Sequence, residues 1–408
     1  MPPDLARSLR FPTWLGLGAL LLLAWFAYRP GLHGGFVFDD FVNLDALGAT
    51  GRVDDWAAFW RYLTSGSADL TGRPLALLSF LLDARDWPAD PRPFLRTDIL
   101  LHLANGALLF ALLRQLGRRL DGTCARTDVA ALLGAGLWLL HPLQLTPVLH
   151  VVQRMTSLSA LFLLTAMLFH VKARERTGHT AWTGLLFAWG ILWPLSCLSK
   201  ETGALFPLFA LAWELIVRRN AQGELDRFTR VLAVLTGLTF VGLAAYLVMP
   251  AGQWLWVGYD YRSFSPVERL LTEGRVLWFY LALILLPRLE AFGLYHDDIA
   301  VSTGFIDPWT TLPAWLGLAG LVWLAWRARA KAPLVAFGIA WFLAGHLLES
   351  TVLPLELAHE HRNYLPSIGI LLARQSAKTE LAIIAAMSLT VVMLPSCLNR
   401  GDPSRSFF

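Results

Sequence analysis

Two adjacent carboxylates, Asp39 and Asp40, lie in the apolar stretch GGFVFDDFVN at residues 34–43. Carboxylates between apolar side chains are costly to desolvate unless they bind a cation or a hydroxyl group that donates a proton. Desolvation raises the pKa of a carboxyl group, and such a carboxylate can act as a general base toward an alcohol. The pair therefore suggests base catalysis. A solvated turn that caps the next helix is an equally compatible interpretation of the dipeptide alone.

Isolated cations and other polar residues occur at the ends of other apolar stretches. The cations that we expect to hold a phosphate group through charge-assisted hydrogen bonds are Arg73, Arg154, Lys200, Arg275 and Arg362. The polar residues that would support such a site are His102, His141, Glu201, Asp297, Asp298, His359, His361 and Tyr364. Singly, such residues are most often capping or snorkelling residues. Together they favour a polar cavity for a substrate with an apolar tail and an anionic head.

Metal binding is the alternative for the histidines. His141, His359 and His361 would be the ligands, but the sequence has no HExxH or other tight zinc pattern, so no metal ligand is predicted. A divalent cation at the aspartate pair stays open. The net charge of +4 is spread over short loops and forms no basic stripe, which argues against a nucleic-acid partner.

The composition predicts the kind of element that positions these residues. The chain is 56% hydrophobic and only 16% charged, with a mean hydropathy of +0.51, which excludes a water-soluble fold. At ~20 residues per crossing, the sequence contains about ten apolar stretches and no alternating pattern of a β-barrel. We predict an all-α polytopic membrane protein with about 10 to 11 transmembrane helices. The predicted spans are 11–28, 97–114, 129–147, 155–171, 181–197, 203–217, 229–249, 312–326, 333–348, a short 364–373, and 380–395.

Basic residues indicate the orientation of these spans. About half of the 34 Lys and Arg residues lie in short loops that alternation places on the cytoplasmic side. This alternation of loops between the two sides holds only if the stretch Val267–Pro287 is re-entrant or jointed and does not cross the membrane. The non-cytoplasmic side then carries the long loop 29–96 with interfacial helices, the region 250–311 and the loop 349–363. The expected organisation is one integral membrane domain, 1–408, without a soluble domain.

Six motifs, in this order, resemble a known family. They are GLHGGFVFDDFVNL (31–44), GRPLALLSFLLD (72–83), LLHLANGALLFALL (100–113), HPLQLTPVLHVVQRMTSLSALF (141–162), LSCLSKETG (195–203) and HEHRNYLPSIG (359–369). They are similar to motifs of the transmembrane and tetratricopeptide-repeat glycosyltransferases. The chain looks most like their bacterial relatives, the GT-C membrane glycosyltransferases, with protein O-mannosyltransferases as more distant cousins. No tetratricopeptide repeats follow, and the chain looks shortened after Ile370.

The resemblance implies a GT-C fold with the site on the non-cytoplasmic face, and a periplasm-facing protein of the bacterial inner membrane. It implies a dolichol- or undecaprenyl-phosphate sugar as donor substrate, with a protein or a glycan or lipid as acceptor. Asp39 and Asp40 match the family's acidic pair, and Arg73 matches the Arg-Pro of its loop helix. The positions that match further polar residues of the family are His102, His141, Arg154, Lys200, Glu201 and Tyr364.

Three function classes are compatible with these residues. A glycosyltransferase that uses a polyprenyl-phosphate sugar is the first. An oligosaccharide polymerase or O-antigen-type ligase would keep the same outer cavity and take a lipid-linked glycan. A flippase or transporter is the non-enzymatic alternative, but transporters tend to have repeated halves and charges at the membrane midplane.

Overall fold

The computed structural model describes residues 13–49, 51–66, 72–121, 125–219, 225–249, 256–293, 295–296 and 299–376. Within these ranges every regular element is helical, and extended pairing is limited to a single bridge between Ala49 and Gly51. The all-α prediction is therefore confirmed for the described residues. Internal contacts divide the chain into a first unit, 1–204 with 379–408, and a second unit, 205–378.

The first unit contains a long series of helices joined by short turns. Its α-helices are α1 (Thr13–Tyr28), α2 (Asp39–Leu44), α3 (Trp56–Leu63), α4 (Pro74–Phe80), α5 (Pro91–Asp121), α6 (Ala125–Leu139), α7 (Leu145–Leu149), α8 (Arg154–Ala173), α9 (Gly178–Phe187) and α10 (Trp193–Ser199). Short 3₁₀ helices follow α1 at Arg29–His33 and precede α8 at Val151–Gln153. A π-helical turn, Ala188–Leu192, makes α9 and α10 continuous.

The second unit has fewer and more widely spaced helices. They are α11 (Phe206–Ala212), α12 (Arg227–Val248), α13 (Pro266–Leu285), α14 (Thr311–Ala328), α15 (Pro333–His346) and α16 (Pro366–Ser376). Side-chain hydrogen bonds cap the N-termini of two of these helices. The Asp226 carboxylate accepts a hydrogen bond from Thr229 N before α12, and Ser265 with Glu268 forms a capping box at the start of α13.

Several helices are long and apolar enough to cross a membrane, which is consistent with a multi-pass membrane protein. Five meet both criteria, and the number is up to six if the pair Arg126–Leu139 and Pro142–Leu149, bent by 55°, is one broken span. This is fewer than the predicted ten or so. The difference arises because α15 is short, because residues 201–218 are interrupted by 3₁₀ and π turns, and because 380–395 lies outside the described residues.

The long loop after α1 folds into a small hydrophobic core. Its helices α2, α3 and α4 bury apolar side chains against the start of α5 and the turn before α8; the core members include Leu44, Tyr62, Phe80, Phe94 and Val152. The predicted amphipathic piece Trp56–Leu63 is a helix, and so is most of the piece 74–82. The Asp55 carboxylate caps α3 by accepting a hydrogen bond from Ala58 N at 2.7 Å.

Arg154 lies at the base of this loop core and is completely buried. Its guanidinium pairs with Asp83 at 2.6 Å and with Asp98, and donates to the carbonyl oxygens of Ser79 and Phe94 at 3.1 and 2.8 Å. One side chain thereby ties α4, α5 and α8 together. Its donors bind protein acceptors, and the assignment of Arg154 to a donor phosphate stays a prediction from the sequence.

After α13, the chain returns to the end at which that helix begins. This helix is unbroken over 20 residues, so it is not jointed. Ser302 N nevertheless donates to Thr272 Oγ1, near the start of α13, at 2.8 Å, and Thr311 Oγ1, at the start of α14, donates to Ser302 Oγ at 2.8 Å. The helices α13 and α14 therefore begin side by side, and the re-entrant topology itself stays a prediction.

The helices α15 and α16 approach each other closely in the second unit. A Cβ atom on Gly338 would lie 2.2 Å from the carbonyl oxygen of Gly369, and a Cβ atom on Gly369 would lie 2.2 Å from that of Gly338. No larger residue fits at either position without separating the backbones, since small residues at a crossing allow this kind of contact. The loop 347–363 connects these two packed helices.

Replacing Arg154 tests the role of the buried ion pairs. Arg154→Met should lower the free energy of unfolding by about 3–5 kcal/mol, because it leaves Asp83 and Asp98 buried without a counter-charge. Thermal unfolding of the purified protein in detergent measures the change. The exposed Arg61 of α3 provides the control, Arg61→Met, and an equal melting temperature for the two variants would contradict the role of Arg154.

Cysteine labelling tests the return after α13. Tyr261 and Ile306 are exposed on either side of α13, and Ala330 is exposed after α14. In a background without Cys124, Cys197 and Cys397, we expect cysteines at 261 and 306 to react with an impermeant thiol reagent from the same side of the membrane. A cysteine at 330 should react only from the other side. Reaction at 261 and 306 from opposite sides would show that α13 crosses.

Candidate functional site

The two carboxylates of the Asp39-Asp40 pair have different surroundings. Asp40 is completely buried in the first turn of α2. Its Oδ2 atom accepts a hydrogen bond from Val37 N at 3.0 Å, and its Oδ1 atom accepts one from Val152 N at 2.7 Å. Burial raises the pKa of Asp40, and the nearby His150 ring opposes that increase. Asp40 therefore fixes the start of the loop to the turn before α8.

Asp39 is exposed in the same turn of α2. Its backbone carbonyl accepts a hydrogen bond from the Asn43 side chain at 2.8 Å. The preceding residue, Phe38, has a φ angle of 44°, a conformation that is rare for a bulky side chain and that is retained only where the surrounding structure imposes it. Of the two acids, Asp39 is the one that can meet an acceptor hydroxyl without a rearrangement.

Two of the predicted cations lie next to the turn that holds Asp40. This turn and the start of α8, residues 150–156, are called the 150–156 segment. Lys200 Nζ donates to Thr156 Oγ1 at 3.1 Å, and Thr156 Oγ1 donates to Gln153 Oε1 at 2.9 Å. Arg73 contacts the same segment, because its guanidinium donates to the Met155 sulfur at 3.1 Å. The structure thus brings Asp40, Lys200 and Arg73 to one segment.

Arg73 and Glu201 form a bidentate ion pair at this segment. Arg73 Nε donates to Oε1 of Glu201 at 2.6 Å, and the guanidinium NH2 group donates to Oε2 at 2.9 Å. The two side chains keep 18% and 25% of their surface exposed. Arg73 is therefore partly accessible to a ligand, and Glu201 supports it, whereas Lys200 is nearly buried.

The two predicted histidines of the first unit, His102 and His141, both contact backbone groups. His102 is fully buried in α5, with Nε2 3.0 Å from the carbonyl oxygen of Leu139 and its ring packed against Trp138 and Tyr28. His141 caps the short helix after α6, since its Nδ1 atom accepts a hydrogen bond from Leu143 N at 3.2 Å. The ring of His102 is enclosed by protein, and the prediction that these histidines support a ligand cavity stays a prediction.

Arg362, one of the cations predicted to hold the donor phosphate, is buried in the second unit. Its guanidinium donates to the carbonyl oxygens of Glu356 and Leu357 at 2.8 and 3.2 Å. Only 4% of the residue is exposed, so Arg362 organises the loop 347–363 and does not present a free charge. Tyr364 follows it and is completely buried, which also removes this residue from a ligand surface.

A polar cavity of about 400 Å³ lies beside this loop. Its lining includes Arg262, His296, Glu356 and His359. The His359 ring, 3.7 Å from Glu356, and the Arg262 guanidinium, 2.9 Å from it, hold the pKa of Glu356 well below its usual range. The charges in this cavity are thus largely compensated by protein groups.

The remaining second-unit predictions have mixed outcomes. The His361 ring stacks on the His359 ring, with centroids 5.1 Å apart. Arg275 is half-buried and donates to the carbonyl oxygen of Ala300 at 2.6 Å, which leaves part of its fork accessible. Asp297 and Asp298 lie outside the described residues. Among the described residues, no three His, Cys, Asp or Glu side chains are grouped closely enough to hold a metal ion.

Several residues that shape these sites are not among the site residues predicted from the sequence. His150 lies against Asp40 with Nε2 3.3 Å from Val37 O, and Asp83 pairs with Arg154. Arg262 and His296 complete the second-unit cavity. His150 is nine residues from His141, and only the turn geometry shows that it, rather than His141, reaches the aspartate pair.

Comparison with known proteins gives one distant similarity. The chain is similar to a protein O-mannosyl-transferase of Caenorhabditis elegans, with 24% identity over 231 residues. The matched region is 54% of this chain and only 31% of the length of the nematode protein. No family model matches the chain, and no solved structure matches it. The similarity supports a relationship to glycosyltransferases in general.

Adjacent substitutions separate the two aspartates. Asp40→Ala should lower the free energy of unfolding by about 1–3 kcal/mol, because it leaves Val37 N and Val152 N without their acceptor. Asp39→Ala removes an exposed side chain and should change it far less. Thermal unfolding in detergent at neutral pH measures both variants, and equal effects would contradict the anchoring role of Asp40.

Proposed function

We propose that this chain transfers a sugar from a polyprenyl-phosphate donor to a hydroxyl group of a protein or glycan acceptor. The observation that carries the proposal is that Asp40, the neighbour of the exposed Asp39, binds the 150–156 segment, which Lys200 and Arg73 also contact. A candidate base for the acceptor and cations for a phosphate are thus connected through this one segment of the first unit. The similarity to a protein O-mannosyl-transferase independently supports glycosyl transfer in general.

Asp39 acts as the general base in this proposal. Its carboxylate takes the proton of the acceptor hydroxyl while the acceptor oxygen forms a bond to the anomeric carbon of the sugar. The bond between that carbon and the phosphate oxygen breaks, and polyprenyl phosphate leaves with the electron pair. Attack from the face opposite the phosphate inverts the anomeric configuration. Asp40 is a positioning residue, because both of its oxygens bind backbone N–H groups.

The cations of the 150–156 segment stabilise the leaving phosphate. Arg73 is held in a fixed orientation by Glu201, and 18% of its side chain is exposed. Lys200, which is nearly buried, adds a second positive charge at Thr156. Negative charge that develops on a phosphate oxygen in the transition state is stabilised most by donors that are already oriented. Arg275 belongs to the second unit, where it is half-buried, and its assignment to a phosphate stays a prediction from the sequence.

An apolar cavity in the first unit suits the lipid part of the donor. It has a volume of about 700 Å³ and is lined by side chains of α3, α4 and α8, among them Trp56, Phe59, Leu78 and Phe162. Apolar walls with few polar groups favour a hydrocarbon chain over a sugar. Trp56 and Trp60 are exposed on α3, as expected for a helix at the interface between water and lipid. We place the reaction on the non-cytoplasmic face of the membrane.

Mass spectrometry tests the activity directly. Envelope proteins and glycolipids from cells with and without this chain should differ by the loss of one sugar increment on a defined acceptor. The purified protein should then add the same increment when supplied with the corresponding polyprenyl-phosphate sugar. The proposal fails if a sugar nucleotide serves as the direct donor, or if a preassembled glycan is transferred as a block.

Replacing Asp39 tests the assignment of the base. Asp39→Asn keeps the shape of the side chain and removes its basicity, so turnover should fall by roughly 10²-fold or more while donor affinity changes far less. Asp45 is an exposed acid in the same loop, and Asp45→Asn should retain normal turnover. Near-normal turnover of the purified Asp39→Asn protein would exclude Asp39 as the base.

A further inference from the structure

A second cluster of cations lies away from the aspartate pair, where two apolar helices end. Arg29 and His33 are on the 3₁₀ turn that completes the candidate span Thr13–His33. Arg92 and Arg96 are on the first turns of α5, which begins the candidate span Pro91–Leu120. All four line one cavity of about 340 Å³, which we call the basic pocket.

The basic pocket has an excess of positive charge. Asp90 is the acid among its lining residues, and one of its carboxylate oxygens accepts a hydrogen bond from Arg92 N at 3.0 Å. Three guanidinium groups therefore face one carboxylate. Arg92 and Arg96 are also four residues apart on one helix face, a spacing at which like charges repel each other.

Several arginines of the first unit are paired, unlike the members of this cluster. Arg73 pairs with Glu201, Arg114 with Asp128, and Arg119 with Glu175. Within the part of the chain that the structure describes, Arg29, Arg92 and Arg96 have no carboxylate within ion-pairing distance of their side chains. Uncompensated arginines around a cavity favour an anionic ligand, because a planar guanidinium fork binds phosphate oxygens well.

The position of the basic pocket indicates which anion it meets. The pocket lies where one apolar span ends and another begins, which is the depth of the phosphate groups in a bilayer. Leu32 and Pro93 add apolar surface to its lining, next to where the acyl chains of a lipid would begin. A net positive pocket distinguishes a lipid with a net negative charge from a zwitterionic one.

We propose that the basic pocket binds the phosphate group of an anionic phospholipid, bridging the ends of α1 and α5. The bound lipid would compensate the repulsion between the arginines of the two helices. The pocket is a lipid site in its own right, and it does not depend on the sugar-transfer activity proposed above.

Native mass spectrometry of the full chain in detergent tests this proposal. Phosphatidylglycerol is titrated into the protein, and retained lipid is counted; phosphatidylcholine serves as the zwitterionic comparison. Each basic residue near a lipid surface contributes roughly a fivefold factor in affinity. Arg29→Gln combined with Arg96→Gln should therefore weaken phosphatidylglycerol binding by roughly 30-fold, and phosphatidylcholine binding should change little.

A control with the same change of charge keeps the test specific. Arg52→Gln combined with Arg61→Gln removes two exposed arginines of the same loop outside the basic pocket and should leave phosphatidylglycerol binding within about twofold of the wild type. Circular dichroism of both double variants checks that they keep their helical content. If the pocket variant were unfolded, the milder Arg96→Lys, which keeps the charge, should retain most of the binding.

Three outcomes would overturn the proposal. The first is equal loss of phosphatidylglycerol binding in the pocket variant and the control. The second is equal affinity of the wild type for the two lipids. The third is displacement of phosphatidylglycerol by millimolar inorganic phosphate alone, which would assign the pocket to a free anion.

Discussion

The burial of one arginine between two carboxylates is the constraint on which the first unit depends. Arg154 is completely buried and pairs with Asp83, which follows α4, and with Asp98, which lies in α5. A charge in such a place is tolerated only when hydrogen bonds and counter-charges satisfy it. Its donors therefore fix the end of α4, the start of α5 and the start of α8 in one arrangement.

The residues of the candidate site contact the same start of α8 that Arg154 holds in place. Val152, whose N–H group holds the Asp40 carboxylate, is two residues before Arg154. Thr156, which accepts from Lys200, is two residues after it. Any shift of the α8 start would move the aspartate pair and both cations together. A site in which Asp40 and both cations contact one segment meets the requirement that catalytic groups be oriented before the substrate binds.

The sequence predicted the helices better than it predicted which charged side chains pair with each other. Apolar runs predicted the helices of the described residues, and the amphipathic pattern of Trp56–Leu63 predicted an interfacial helix that the structure contains. The burial of the arginines could not be predicted in this way, because nothing in the sequence distinguishes Arg73, Arg154 and Arg362. The structure makes the first partly accessible and buries the other two. Which cation meets which carboxylate depends on tertiary packing, such as the contact of Arg154 with Asp83, and local spacing does not encode it.

The central claim is that the exposed member of the aspartate pair faces the sugar of a lipid-phosphate donor. The measurement that tests it most directly is an experimental structure of the full chain with a polyprenyl phosphonate sugar, a donor analogue that cannot be cleaved. We predict that Asp39 lies close enough to the anomeric carbon for an acceptor hydroxyl to fit between them, with acceptor oxygen and carbon about 3–3.5 Å apart. The phosphonate should contact Arg73 or Lys200. An analogue bound with its sugar away from Asp39, and with no contact between its phosphonate and either cation, would contradict the account.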